Sequence, residues 1–150
     1  MKLQDIEAIK ARIEICNLKA RHLRMLDTKD WAGYAELLTE DYVLDVSRST
    51  KIPVISGRDA ALKQVQASVG AVMTVHQAHP PEFDFKGAEA HVVWPIQDRI
   101  VRGAGQPSYS GYSQHHDRWV SQNGQWKLAA ERLVRLHIEV VPAGVSQSAG

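Results

Sequence analysis

The sequence has little of several features that mark specialised classes of protein. It has one cysteine, Cys16, so its 150 residues cannot form an intramolecular disulfide. Eighteen Lys and Arg residues oppose seventeen Asp and Glu residues, and the net charge of +1 indicates neither a nucleic-acid nor an anionic-membrane partner. No apolar run approaches membrane-spanning length. The charged start, MKLQDIEAIKARIE, lacks the apolar stretch of a secretory signal, so we expect a cytoplasmic protein.

Size and composition indicate one globular domain. Hydrophobic residues make up 44% and charged residues 23% of the chain, close to the average for folded proteins. A chain of this length can bury a core without disulfides or metals. Because no linker or repeat divides it, we expect a single domain over residues 1–141 and a flexible, small and polar tail over 142–150.

The first half of the chain predicts helices. Asp30 is a suitable N-cap for a short second helix over 31–38, and a third helix is predicted over 59–68, with a short strand over 42–46 between them. A flanking ridge of the first helix contains Ile15, Leu18, His22 and Met25. The main ridge follows alternating steps of three and four and ends on an acid: Ile6, Ile9, Ile13, Cys16, Ala20, Leu23 and Asp27.

The second half predicts strands, over 72–77, 82–86, 90–101, 109–121 and 126–140. Asn123-Gly124 is the strongest hairpin signal between them. Helices followed by long meandering strands predict an α+β fold, with the helices on one face of a curved antiparallel sheet.

Two polar residues interrupt apolar patterns. Asp27 occupies the next ridge position after six mostly apolar residues, which aims it inward, where a carboxylate needs a partner. The alternative is a helix end that has already turned to solvent. His76 closes the apolar strand start Val72–Met73–Thr74–Val75 and is either a satisfied core histidine or a general base. A carboxylate on one ring nitrogen would fix the tautomer and leave the other nitrogen as the base.

Seven short motifs follow one another along the chain. They are DIEAIK at 5–10, LKAR at 18–21, LDTKDW at 26–31, LTEDYVLD at 38–45, VHQAHPPEF at 75–83, GQWKL at 124–128 and RLVR at 132–135. In order and spacing this series resembles the SnoaL-like branch of the nuclear-transport-factor-2-like superfamily over roughly residues 5–140. The nearest functional parallels are bile-acid 7α-dehydratase, hexachlorocyclohexane dehydrochlorinase and scytalone dehydratase.

The resemblance implies a cone-shaped α+β fold, in which a curved antiparallel or mixed sheet wraps around three N-terminal helices and forms a deep apolar pocket. In the parallels, an Asp at the end of the first helix and a His on the strand after the third helix form the catalytic dyad. Asp27 and His76 match these positions. His22 stands where two of the relatives carry a Tyr or a Lys, and Arg135 matches an Arg that lines the related pockets.

His22 and Arg135, like Asp27 and His76, also have ordinary structural interpretations. His22 can be a surface histidine near the helix end. Arg135 can be a solvated strand residue, because Val134, Leu136 and Ile138 hold the opposite parity on the strand. One of the two strand faces can also be an oligomer contact.

The resemblance implies a lyase of the dehydratase type or an isomerase. His76, assisted by Asp27, would remove a proton from a small apolar or polycyclic substrate, and His22 or Arg135 would help a leaving group depart. No cofactor or metal is implied, and homodimers or homotrimers are expected. The alternatives are a non-catalytic small-molecule-binding or accessory protein and a polyketide-cyclase-type enzyme. A filled pocket, with Asp27 and His76 beyond hydrogen-bond reach, would favour the binding protein.

Overall fold

Three helices and seven strands make up the fold in the computed structural model, which describes residues 3–143. The predicted tail from residue 144 onward lies outside the described residues. Within them, no helix is long and apolar enough to cross a membrane. The helices are α1 (Leu3–Thr28), α2 (Trp31–Glu36) and α3 (Arg58–Val69), and the strands are β1 (Leu38–Asp45), β2 (Ile55–Ser56), β3 (Met73–Ala78), β4 (Glu82–Lys86), β5 (Glu89–Val101), β6 (Ser108–Gln122) and β7 (Gln125–Val141).

The strands form one mixed sheet in the order β2-β1-β7-β6-β5-β3, with β4 also paired to β5. Strand β1 runs parallel to β7, and the other pairs are antiparallel. The α+β prediction is therefore confirmed. The long strands β5, β6 and β7 form the centre of the sheet, and α1, α3 and β1 contribute buried residues to the core beside it.

The β6–β7 hairpin forms where the sequence predicts it. Asn123 and Gly124 both have positive φ, 51° and 75°, between the paired residues Gln122 and Gln125. Two consecutive positive φ angles are the requirement of the turn that matches the twist of a two-residue hairpin.

Helix α2 ends earlier than its predicted limit of residue 38. It stops at Glu36, and β1 begins at Leu38 instead of residue 42. The cause is long-range pairing: Leu128 N donates to Leu37 O at 2.9 Å, and Leu38 is in register with Leu128. The sheet therefore takes over a segment whose local pattern continues the helix.

The buried face of α1 differs from the predicted main ridge. Ile9 and Ile13 are 46% and 59% exposed, so the prediction that they face inward is wrong. The buried line instead contains Ile15, Lys19, His22 and Leu26, all under 9% exposed. Ile15 and His22 belong to the predicted flanking ridge, and on the same face the Lys19 ammonium bonds Asp117 and Glu131 of the sheet.

Two irregularities in the β6–β7 register determine which β7 side chains face the helices. The register shifts between Tyr112 and Ser113 and between Arg118 and Trp119. As a result, Arg135 is paired with the buried Ser113, on the inner face of the sheet. Simple alternation from Ile138 would place Arg135 on the outer face, and the β-bulge changes that parity.

Candidate active site

Asp27 and His76 meet at the junction of α1 and β3. His76 Nδ1 lies 2.7 Å from Asp27 Oδ1, and the His76 backbone N–H donates to Asp27 Oδ2 at 2.8 Å. Thr74 Oγ1 also donates to Asp27 Oδ1 at 2.8 Å and accepts a hydrogen bond from Lys29 Nζ at 3.0 Å. The side chains of His76 and Asp27 are only 11% and 20% exposed. The carboxylate therefore binds both the ring and the backbone N–H of His76.

These contacts keep Asp27 ionised. Burial raises the pKa of Asp27, but the hydrogen bonds from the side chain and backbone of His76 outweigh burial and hold the pKa below its ordinary value of 3.8. An ionised carboxylate only accepts hydrogen bonds, so the His76 proton belongs on Nδ1. When the ring is neutral, Nε2 carries the free lone pair of a general base.

A cavity of about 170 Å³ adjoins this pair, between the helices and the inner face of the sheet. His76 lines it, together with the apolar side chains of Leu26, Leu44, Val65 and Ile100. The polar lining includes Tyr34, Asp98, Tyr109, His115, Glu131 and Arg135. An apolar cavity with a few converging polar groups is the usual form of a small-molecule site.

Arg135 reaches this cavity as one half of an ion pair. Its Nη1 donates to Asp98 Oδ1 at 2.5 Å, and Asp98 is in register with His76 on the neighbouring strand. Gly111 makes room for the pair, because a Cβ at this position would overlap the Arg135 guanidinium. The positive charge of Arg135 is therefore already balanced inside the protein.

A second group of charges is buried behind the cavity. Lys19 Nζ donates to Asp117 Oδ2 and to Glu131 Oε2, both at 2.9 Å, and lies 3.4 Å from His115 Nδ1. Trp119 Nε1 donates to Asp117 Oδ2 at 3.2 Å. Burial raises the pKa of Asp117 to about 7, against the lowering effect of Lys19. The Lys19 ammonium lowers the pKa of Glu131 well below its usual value, against burial, which raises it.

This buried group also has the donor set of a metal site. The donor atoms of His115, Asp117 and Glu131 lie within 4.8 Å of one another. Lys19 Nζ already bonds both carboxylates, so it supplies the positive charge that a metal ion would bring. The arrangement therefore works as a charge-compensated cluster built from the chain itself.

His22 is buried beside the cavity but is absent from its lining. Its ring stacks on Tyr34 with centroids 4.5 Å apart, and neither ring nitrogen has a hydrogen-bond partner among residues 3–143. Burial lowers the pKa of His22 to about 3, so the ring is neutral at ordinary pH. The structure thus brings His76 and Arg135 to one cavity, with Asp27 hydrogen-bonded to His76 but outside the lining, and keeps His22 behind Tyr34.

The sequence of residues 7–132 matches the model of the SnoaL-like domain. The chain belongs to the SnoaL-like family. No functionally curated protein matches this SnoaL-like chain in sequence.

Solved structures share the fold of this SnoaL-like protein over almost its whole length. A putative scytalone dehydratase from Novosphingobium aromaticivorans is 22% identical with a TM-score of 0.79, and the match covers 97% of this chain and 100% of that one. Hexachlorocyclohexane dehydrochlorinase type 3 from Novosphingobium barchaimii is 16% identical with a TM-score of 0.82, covering 97% and 99%. A protein of unknown function from Mycobacterium tuberculosis is 26% identical with a TM-score of 0.74, covering 90% and 76%. These likenesses confirm the predicted cone-shaped α+β fold.

Five polar residues of the SnoaL-like site escaped the sequence analysis: Lys19, Asp98, His115, Asp117 and Glu131. The sequence could have indicated Asp98, because it alternates with Ile96 and Ile100 on the inner face of β5. His115, Asp117 and Trp119 likewise alternate on the inner face of β6. Polar residues at inward parity on long strands are therefore the pattern that could have found the site.

Replacing Gly111 with Ala is expected to lower the free energy of unfolding by about 1–3 kcal/mol, because the added methyl displaces Arg135 from Asp98. Thermal unfolding measures the effect. Gly103→Ala is the matched control, since a Cβ there meets nothing within 4 Å. Equal stability of the two variants would show that the Arg135–Asp98 pair does not need the space at Gly111.

Replacing His22 with Leu should make the protein less sensitive to acid. The pKa of His22 falls from 6.5 to about 3 on folding, so the unfolded chain takes up a proton below about pH 6.5 that the folded chain refuses. Stability is therefore lost as the pH falls through this window, by about 2 kcal/mol at about pH 5 from this group alone. Urea unfolding at neutral pH and at about pH 5 measures the difference. The same acid loss in His22→Leu as in the parent would contradict the burial argument.

Proposed function

We propose that this SnoaL-like protein is a cofactor-independent acid–base enzyme, either a lyase of the dehydratase type or an isomerase. His76 Nε2 removes a proton from a carbon of the bound substrate, and Asp27 stabilises the imidazolium that forms. The 2.7 Å contact between His76 Nδ1 and Asp27 Oδ1 beside a cavity carries this proposal. The dehydratase and dehydrochlorinase among the structural neighbours support the reaction class.

The geometry favours an enzyme over a pure binding protein. A binding protein was expected to have a filled pocket and a separated Asp27 and His76. Here the two residues are hydrogen-bonded, and a cavity of about 170 Å³ lies beside them. An engineered apolar cavity of similar size, about 150 Å³, is known to bind benzene. We therefore propose a substrate whose reacting part is a single small ring, with any further ring projecting toward the opening.

The test is a panel of single-ring ketones, β-diketones, β-hydroxy ketones and halocyclohexanes, incubated with the protein in heavy water and followed by proton NMR. We expect protein-dependent deuterium exchange, isomerisation or elimination with at least one compound, and loss of that activity in Asp27→Asn and His76→Gln. Unchanged turnover in both variants would remove the pair from the mechanism.

A further inference from the structure

His115 is a second histidine in the same cavity, and the proposed mechanism does not yet use it. It is 4% exposed and lines the same cavity as His76. Burial lowers the pKa of His115, which favours the neutral ring. Its Nε2 bonds none of the described side chains, whereas its Nδ1 faces the buried cluster. The two histidines are close enough for the charge of His76 to lower the pKa of His115 further.

The contacts of Lys19 determine which nitrogen of His115 carries the proton. A fully buried ammonium has three N–H groups that need acceptors. Two are donated to Asp117 Oδ2 and Glu131 Oε2 at 2.9 Å, and the remaining polar contact is His115 Nδ1 at 3.4 Å. Glu131 Oε2 also lies 3.2 Å from the same Nδ1, but of the two contacts only that of Lys19 meets hydrogen-bond geometry. If Nδ1 accepts the third N–H, the proton of the neutral ring is on Nε2.

We propose that His115 is a hydrogen-bond donor to the substrate, with Nε2–H directed at a carbonyl oxygen, and that Lys19 is the positioning residue that sets this tautomer. The two histidines then have opposite tautomers, since His76 has its Nδ1 on a carboxylate and His115 has its Nδ1 on an ammonium. One cavity thereby holds a base and a hydrogen-bond donor. This inference rests on the proposed function and narrows its substrate to a small cyclic carbonyl compound.

The chemistry balances without any added reagent. His76 Nε2 takes the proton from the carbon next to the carbonyl, the C–H electron pair forms the carbon–carbon double bond, and the carbonyl π pair moves to oxygen. The resulting enolate oxygen accepts the hydrogen bond from His115. In an isomerisation the substrate also carries a C=C bond next to the deprotonated carbon, so the enolate is conjugated with it, and His76 returns the proton to the far carbon of that bond as the double bond shifts. In a dehydration the enolate expels hydroxide, which takes the proton from His76 and leaves as water. Donors placed where such charge develops commonly contribute about 10²–10³-fold in rate.

Two measurements on the intact protein test this inference without knowledge of the substrate. The first is a long-range proton–nitrogen NMR correlation spectrum of histidine-labelled protein at neutral pH, assigned with His115→Gln and His76→Gln. We expect the Nε2–H tautomer at His115 and the Nδ1–H tautomer at His76. An Nδ1–H tautomer at His115 would overturn the proposal, whatever the enzymatic activity.

The second measurement compares the binding of para-nitrophenolate, an analogue of the enolate oxyanion, with that of nitrobenzene, which lacks the oxygen. His115→Leu should weaken the binding of para-nitrophenolate about tenfold or more, because it removes one buried hydrogen bond to a charged group. The binding of nitrobenzene should change less than about twofold. His115→Gln, which keeps an N–H donor, should restore part of the difference. Equal losses for both ligands would show that His115 only shapes the cavity and would refute the donor role.

The Asp27→Asn variant distinguishes a failure of this inference from a failure of the proposed function. It removes the partner of the base but leaves His115, Lys19 and Glu131 in place, so the preference for para-nitrophenolate over nitrobenzene should persist. If Asp27→Asn and His76→Gln keep full turnover, the proposed function fails while the His115 result still stands. If the dyad variants lose turnover and His115 shows neither the tautomer nor the ligand preference, this inference fails alone.

Discussion

Asp27→Asn is expected to reduce turnover by about 10²–10⁴-fold while the protein remains folded. Asn can place its amide oxygen at the position of Oδ2, where it accepts from the His76 backbone N–H, whereas Thr74, which now donates to Oδ1, has to turn its hydroxyl. The amide also brings an NH2 group that can donate to His76 Nδ1, and this favours the tautomer with the proton on Nε2. The nitrogen that should accept the substrate proton is then blocked, and the imidazolium loses its counter-charge.

The measurement is the rate of the best NMR reaction from the compound panel, together with urea unfolding of each variant. Asp30→Asn is the matched control, because Asp30 Oδ1 accepts from Gly33 N as the N-cap of α2, and Asn is an equally good N-cap. We expect the control to keep its rate within about twofold. An Asp27→Asn enzyme as fast as Asp30→Asn would contradict the dyad, and a large loss of stability in Asp27→Asn alone would indicate a structural role.

Local patterns were sufficient for the elements that depend on nearby residues. Asn123-Gly124 predicts its hairpin because both residues adopt positive φ at low cost, and Asp30 predicts the start of α2 because its side chain caps a backbone N–H three residues on. The Asp27–His76 pair came from motif order, since no local rule links residues 49 positions apart in the sequence. The end of α2 was missed because Leu37 and Leu38 are taken into the sheet by Leu128.

The rest of the site depends on long-range charge balance. The apolar pattern of α1 counts Ile9 and Ile13 as inward, whereas the structure exposes both and buries Lys19. Alternation does not identify Glu131, because its inward parity on β7 depends on the irregularity at Leu128 and Ala129, whereas Asp117 follows the regular alternation of β6. A buried lysine is expected only when its partners are known, which requires the fold first.

Lys19→Met should have the largest effect on stability, lowering the free energy of unfolding by about 3–5 kcal/mol. The side chains of Lys19 and Asp117 are fully buried and that of Glu131 is nearly so, and removal of the ammonium leaves two carboxylates 2.9 Å from an empty position with no counter-charge. A domain of this kind has about 5–15 kcal/mol in total, so the loss should be visible as a large fall in the urea midpoint. Lys10→Met is the matched control on the same helix, because Lys10 is exposed and its pair with Glu7 is expected to contribute less than about 1 kcal/mol.

The pH dependence of this variant identifies the cause. With its pKa raised to about 7 in the folded protein, Asp117 stabilises the fold fully below its ordinary pKa of 3.8 and loses that contribution as the pH rises through about 7. Without Lys19 nothing offsets burial, so both carboxylates should bind protons more tightly in the folded state. Lys19→Met should therefore recover part of its lost stability between neutral pH and about pH 5, whereas Lys10→Met should follow the parent. Adding Asp117→Asn and Glu131→Gln should remove this recovery, because the cluster around residue 19 then contains no carboxylate. A Lys19→Met protein with the stability and pH profile of Lys10→Met would show that the ammonium does not compensate the buried acids.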